Sequence, residues 1–354
     1  MLKGKECVKQ ILQWILAVAV VFLLLNLVCF FYYNPLNGFS MEKSVASVCY
    51  YPGDTAYDSS EGFGIVTADH NGFINQELPL REDYILVTGS SHTEAHYLPM
   101  ELRYGDLLNE KICGENKEEL AVYNIGHIFN FYNDIISSLD AIFRVYPNPS
   151  ALIIEIPHTT YSAEELHESL QQKGYDPEEN VSNILAAMNG KQRLVLDIKR
   201  RLPLLRLFSL KIKDYMAYRE DMEAEKKRAE SGEMISGDEE TEDTEEIRAA
   251  VADTLALLRS YYDGKIIIVF HPDVVIAEDG TMEMVYADYA EIYKEQCEKE
   301  GILFIDMSED FENAYHEQGI IATGFWNTTL GRGHMNRYAH AMVADELYRA
   351  LMEE

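Results

Sequence analysis

Apolar residues along this chain fall into two kinds of run. The first is long: Ile11 to Tyr33 is broken only by the polar residues Gln13 and Asn26. As a helix that length suffices to cross a hydrocarbon core. The second kind is short and rich in Ile, Val and Leu: Tyr84–Val87, Leu120–Ile125, Ala151–Ile156, Lys265–Phe270 and Ile302–Ile305. Near-continuous apolar runs of this size fit strands buried on both faces. The lengths between them suit crossover helices, so the pattern predicts a parallel sheet with helices on either side. A final helix is expected over Tyr338–Met352, its apolar stripe made by Ala339, Met342, Val343, Leu347 and Leu351.

The expected fold is therefore α/β: a three-layer α/β/α domain on a five-stranded, doubly wound (flavodoxin-like) sheet, preceded by one transmembrane helix. Residues 1–10 form a cytoplasmic stub, 11–33 the anchor, 34–83 an irregular, partly extended lead-in rich in turn residues, and 84–354 the main domain. Lys3, Lys5 and Lys9 precede the apolar run, and the positive-inside rule then puts the N-terminus in the cytoplasm and everything after Tyr33 outside. Trp14 and the Phe30–Tyr33 cluster fit the two aromatic belts. The run ends in bulky aromatics rather than small residues, which favours a retained anchor over a cleaved signal peptide.

One connection is much longer than the rest and is expected as a helical and acidic insertion at about 161–263. Its Leu194–Tyr215 part interleaves Lys199, Arg200, Arg201, Arg206, Lys211 and Lys213 with leucines, the pattern of an amphipathic helix that lies on a membrane or caps the domain. Glu230–Glu246, with GDEETEDTEE at its centre, cannot bury a core and reads as a solvated loop. The formal net charge of -30 argues against binding nucleic acid or anionic lipid through a basic face. Cys7, Cys29, Cys49, Cys113 and Cys297 show no metal or disulfide-framework spacing.

Candidate chemistry gathers at the carboxyl ends of the strands, where doubly wound sheets bind ligands. The first strand runs into Gly89-Ser90-Ser91-His92, with Glu94 in the first turn of the next helix. A strand, a tight turn and a helix start lift a hydroxyl beside free backbone N–H groups, so Ser91 reads as a nucleophile. The later strands end in Asn124-Ile125-Gly126-His127, Pro157-His158-Thr159-Thr160 and His271-Pro272-Asp273, and Gly333-His334-Met335-Asn336 precedes the final helix. His92 and His96, four apart on one helix face, are a weaker zinc candidate. His70, His167, His316 and His340 read as hydrogen-bonded packing.

On these residues the chain resembles the SGNH/GDSL hydrolase family. GSSHT is similar to its first block, NIG to its second, and GHMNRYAHAMVADEL to its last. ADHNGFIN ahead of the serine strand is also similar to membrane-anchored members linked to polysaccharide O-acetylation. The resemblance implies Ser91 as nucleophile and His334 as base, with the backbone N–H groups of Ser91 and Gly126 holding the oxyanion. A third oxyanion donor would come from His158, Thr159 or Thr160, with His92, Asn124 and Asn336 in support. Two departures stand out: Ser90 replaces the family's common Asp, and Gly331 occupies the place of its triad acid. A backbone carbonyl, the Asn336 amide oxygen, Asp306 or Glu94 are the candidates for orienting His334. The implied activity is that of an extracytoplasmic esterase or O-acyltransferase on carbohydrate or small acyl esters, with no cofactor or metal. The alternative is an inactive binding or scaffold subunit of envelope polysaccharide machinery.

Overall fold

A computed structural model describes residues 2–36, 38–40, 48–75, 83–114, 120–172, 244–276, 280–285 and 287–352, with parts of 190–219 that include 201–213. The acidic run 230–243 lies outside the described residues. A helix, Leu2–Tyr32, opens the chain. Two antiparallel pairs follow, β1 (Gly38–Ser40) with β2 (Val48–Tyr50) and β3 (Thr55–Asp58) with β4 (Gly64–Thr67). The stretch expected as an irregular lead-in is thus largely hairpin, and Tyr50, Ala56, Val66, Ala68 and Ile74 give it a small core of its own.

The main sheet consists of β5 (Asp83–Thr88), β6 (Leu120–Asn124), β7 (Ala151–Ile156), β8 (Lys265–Phe270) and, after a short β9–β10 hairpin (Asp273–Ile276, Met282–Val285), β11 (Leu303–Asp306). All neighbours are parallel and the order is β11-β8-β7-β5-β6, the expected doubly wound arrangement with one strand reversal between β5 and β7. The β9–β10 hairpin has no counterpart in the sequence reading, although Val274-Val275-Ile276 is a short apolar run and Met282-Glu283-Met284 alternates.

Every residue of β7 is buried. Alternate residues point to opposite layers, as strand geometry requires. Leu86, Ile154 and Ile268 join one core, under helices Tyr132–Ser137, Leu139–Val145, Ala163–Ser169, Thr244–Tyr261 and Ala290–Lys299. Ile85, Val87, Ile153 and Ile267 join the other, under helices Tyr104–Gly114, Ser308–Gln318 and Arg337–Met352. Of the stretch 161–263, then, Ala163–Ser169 and Thr244–Tyr261 pack as layer helices.

Candidate active site

The turn after β5 is built for close approach. A Cβ on Gly89 would collide with Thr93 Oγ1 and Glu155 Oε2, so no other residue fits there. Ser90 caps the following helix, its Oγ accepting from His92 N at 3.2 Å. That helix is a single turn, Ser91–Glu94, closed by Ala95 at φ +45°. His96 therefore lies beyond the helix, and the expected pairing of His92 and His96 on one helix face does not form.

Beneath the turn sits Glu155, a carboxylate near the carboxyl end of a fully buried strand. Its Oε2 accepts from Ser90 N at 2.7 Å and from Thr93 Oγ1 at 2.7 Å, and its Oε1 faces His271 Nε2 at 2.8 Å. Burial pushes this carboxyl upward, but His271 and the Thr93 and Ser90 donors outweigh burial and hold it below the usual carboxylate range. The residue that raises Ser91 to the sheet edge is thus fixed from below by a charge.

Ser91 Oγ lies 2.8 Å from His334 Nε2, and His334 Nδ1 lies 2.9 Å from Glu61 Oε2. An ionised carboxylate only accepts, so Glu61 assigns the proton to Nδ1 and leaves Nε2 free to accept from the serine hydroxyl. Burial acts to raise the Glu61 carboxyl, but the hydrogen bond and charge of His334, with help from His96, bring it below its ordinary value. The His334 ring is held between His92 and Tyr97, with centroids 4.9 and 4.6 Å away. His92 accepts from Met335 N at 3.2 Å; burial first, then the neighbouring His271, His334 and His340, keep it well below the usual histidine range and therefore neutral.

Glu61 comes from the turn between β3 and β4, and Asn327 fastens that turn to the His334 loop. Asn327 Oδ1 accepts from Gly62 N at 2.7 Å, and its Nδ2 donates to Ser59 O and Gly62 O. None of the carboxylates or amides considered from sequence orients His334. Asp306 accepts from the Ser308 N–H and hydroxyl. Glu94 faces His96 Nδ1 at 3.1 Å. Asn336 donates to Ile321 O and Gly324 O and accepts from Tyr338 N. Gly331 is left-handed at φ +78°, and a Cβ there would press on Ile276 Cγ1 at 2.7 Å.

The oxyanion donors are only partly as expected. Ser91 N–H has no acceptor among the described residues, whereas Gly126 N donates to Asn124 Oδ1 at 2.8 Å, an engagement the sequence reading did not foresee. Asn124 in turn donates to Thr93 O, tying this loop to the nucleophile's helix. His158 packs on Tyr161 and Phe131, and no contact joins it or Thr160 to Ser91 among the described residues. His340 is buried and accepts from Tyr104 N as expected of a packing histidine, whereas His167 and His316 lie exposed on their helices.

No protein-family model matches the chain, and no curated protein matches it. It is similar to solved structures of lipolytic and esterase proteins. A member of the lipolytic G-D-S-L family from Veillonella parvula is 12% identical, with a TM-score of 0.38 over 77% of this chain and 98% of that one. A lipase/acylhydrolase from Enterococcus faecalis is 11% identical, at 0.40 over 77% and 95%. An acetylxylan esterase from Geobacillus stearothermophilus is 13% identical, at 0.40 over 77% and 96%. At such overlap the catalytic assignment rests on the distances within this chain.

Proposed function

We propose that this protein is a serine esterase or O-acyltransferase of SGNH type, held in a membrane by its N-terminal helix and acting outside the cytoplasm on acetyl or similar ester groups of carbohydrate. The observation that carries it is the unbroken chain Glu61–His334–Ser91. Ser91 Oγ attacks the ester carbonyl as His334 Nε2 takes its proton. The imidazolium that forms is stabilised by Glu61 and returns the proton to the departing alcohol. The Ser91 N–H donates to the developing oxyanion, and Gly126 N–H joins it by turning from Asn124 Oδ1. Water or a sugar hydroxyl then opens the acyl-enzyme, giving hydrolysis or transfer respectively. The complete triad favours catalysis over a purely binding role, whose motive in the sequence was the absence of an acid near His334.

The location rests on Glu6–Tyr32, which holds an 18-residue window of mean hydropathy 2.8 and side chains such as Leu16 and Leu23 about two-thirds exposed. Its far end is tied to the domain: Asn34 and Tyr57 exchange backbone bonds, and Phe30 and Phe31 pack on the Tyr57 ring. These contacts support a retained anchor. Trp326, 77% exposed beside the clamping Asn327, offers an aromatic face for a sugar ring on the loop that holds the acid.

A fluorophosphonate probe tests the reading. Labelling of the full chain with the adduct mapped to Ser91, and loss of both labelling and p-nitrophenyl acetate turnover in Ser91→Ala by at least ~10³-fold, is the expected result. Full turnover in Ser91→Ala overturns it.

A further inference from the structure

Residues 203–213 form a helix with two apolar sides. One faces the protein: Pro203 is buried, and Leu210 lines a cavity of about 460 Å³ with Tyr33, Leu36, Tyr50, Ala56 and Ile128. The other side faces outward. Leu205, Phe208 and Ile212 are 50%, 66% and 46% exposed, and Tyr215 and Met216 extend the same stripe. Spacings of three and four put these residues on one helix face. A helix that merely capped the domain would turn polar side chains outward.

Two further observations say what covers this face. The helix is bonded to the anchor end, Leu204 N donating to Asn26 Oδ1 at 3.3 Å and Arg206 to Leu36 O at 3.2 Å. Asn26 lies about 10 Å along the anchor before Tyr33, within the ~5–10 Å depth to which interfacial helices sink, and Leu36 lies just beyond the anchor. The two attachments therefore straddle the outer headgroup–acyl boundary. Charge agrees: 198–213 holds Lys199, Arg200, Arg201, Arg206, Lys211 and Lys213 and no acidic residue, in a chain whose net charge is -30.

We infer that helix 203–213 lies in the plane of the outer membrane–water interface, with Leu205, Phe208 and Ile212 among the acyl chains and its basic residues among anionic headgroups. This rests on the proposed anchor and adds a second membrane contact, which fixes the orientation of the Ser91 cleft relative to the bilayer. A lone helical tether leaves a domain free to rotate; two contacts do not.

The experiment uses the full chain in vesicles of phosphatidylcholine and phosphatidylglycerol, with acyl chains brominated near the headgroup. Phe208→Trp, in a background of Trp14→Phe and Trp326→Phe, should show blue-shifted emission quenched roughly twofold or more by the brominated lipid. Reversing Arg201, Lys211 and Lys213 to Glu should reduce that quenching. Trp14, read in a Trp326→Phe chain, reports the anchor separately. Trp14 quenched with an unquenched Phe208→Trp reporter overturns the interfacial helix and leaves the anchor standing, which is also the result if a protein partner covers the face. Neither indole quenched overturns both.

Discussion

Glu61 Oε2 and His334 Nδ1 lie 2.9 Å apart although 273 positions separate them in the chain. The charge that completes the proposed triad is delivered by the β3–β4 turn, not by the loop that carries the histidine. Glu61→Gln keeps the shape and removes the charge, and should lower kcat by about 10²- to 10⁴-fold. Asp306→Asn, whose carboxylate accepts from Ser308 and not from His334 among the described residues, should stay near the parent rate. Adding Gly331→Asp to Glu61→Gln should not restore activity, since that position is left-handed and crowded by Ile276. Steady-state kinetics on a soluble acetyl ester checks all three.

Asn327 is a positioning residue for that acid. Asn327→Ala removes three bonds to the Ser59–Gly62 turn. The expected loss on a small acetyl ester is about 10- to 100-fold in kcat, because the acid is loosened. An unchanged kcat would show that the turn holds Glu61 without the clamp.

Glu155 carries the nucleophile's turn. Glu155→Ala leaves the Ser90 N–H, the Thr93 hydroxyl and His271 without their buried acceptor, a loss of about 3–5 kcal/mol. Urea unfolding should show it as a large fall in midpoint. Glu155→Gln, which keeps an acceptor oxygen, should fold better yet label more slowly with the fluorophosphonate.

Stability should peak near pH 6.5. Burial, with His271, Arg103 and His334 close by, pushes His340 down to about 3, against about 6.5 in an unfolded chain. Below about 6.5 the unfolded state therefore binds a proton that the folded state refuses, and stability falls toward pH 3. His92 acts in the same direction. For His96, burial lowers the pKa, but Glu94, Asp58 and Glu61 more than offset it and raise the ring to about 9. Its contribution is fully present below about 6.5 and is lost as pH rises through about 9. Urea midpoints across pH should show both limbs, the acid one flattened by His340→Gln and the alkaline one by His96→Gln.

What the sequence made legible were features carried by contiguous residues. The five strands declare themselves by apolar runs, and Ser91 and His334 by their place just after a strand and just before a helix. Glu61 has no such signature: it sits in a turn among Ser and Gly, and only tertiary packing against Asn327 brings it to His334. Glu155 is legible from its surroundings. A single acid inside the apolar strand ALIIEI must find partners when buried, and those partners lie under the nucleophile. Gly126 shows the converse: its place was legible, but the bond that occupies its N–H depends on a side chain two residues away.

The division of the triad between the front and the back of the chain also orders its assembly in time. A nascent chain exposes Glu61 long before His334, 273 positions later, so a product cut short between them lacks the proposed base. Synthesis thus yields no Glu61–His334–Ser91 arrangement before the segment that carries His334 has emerged.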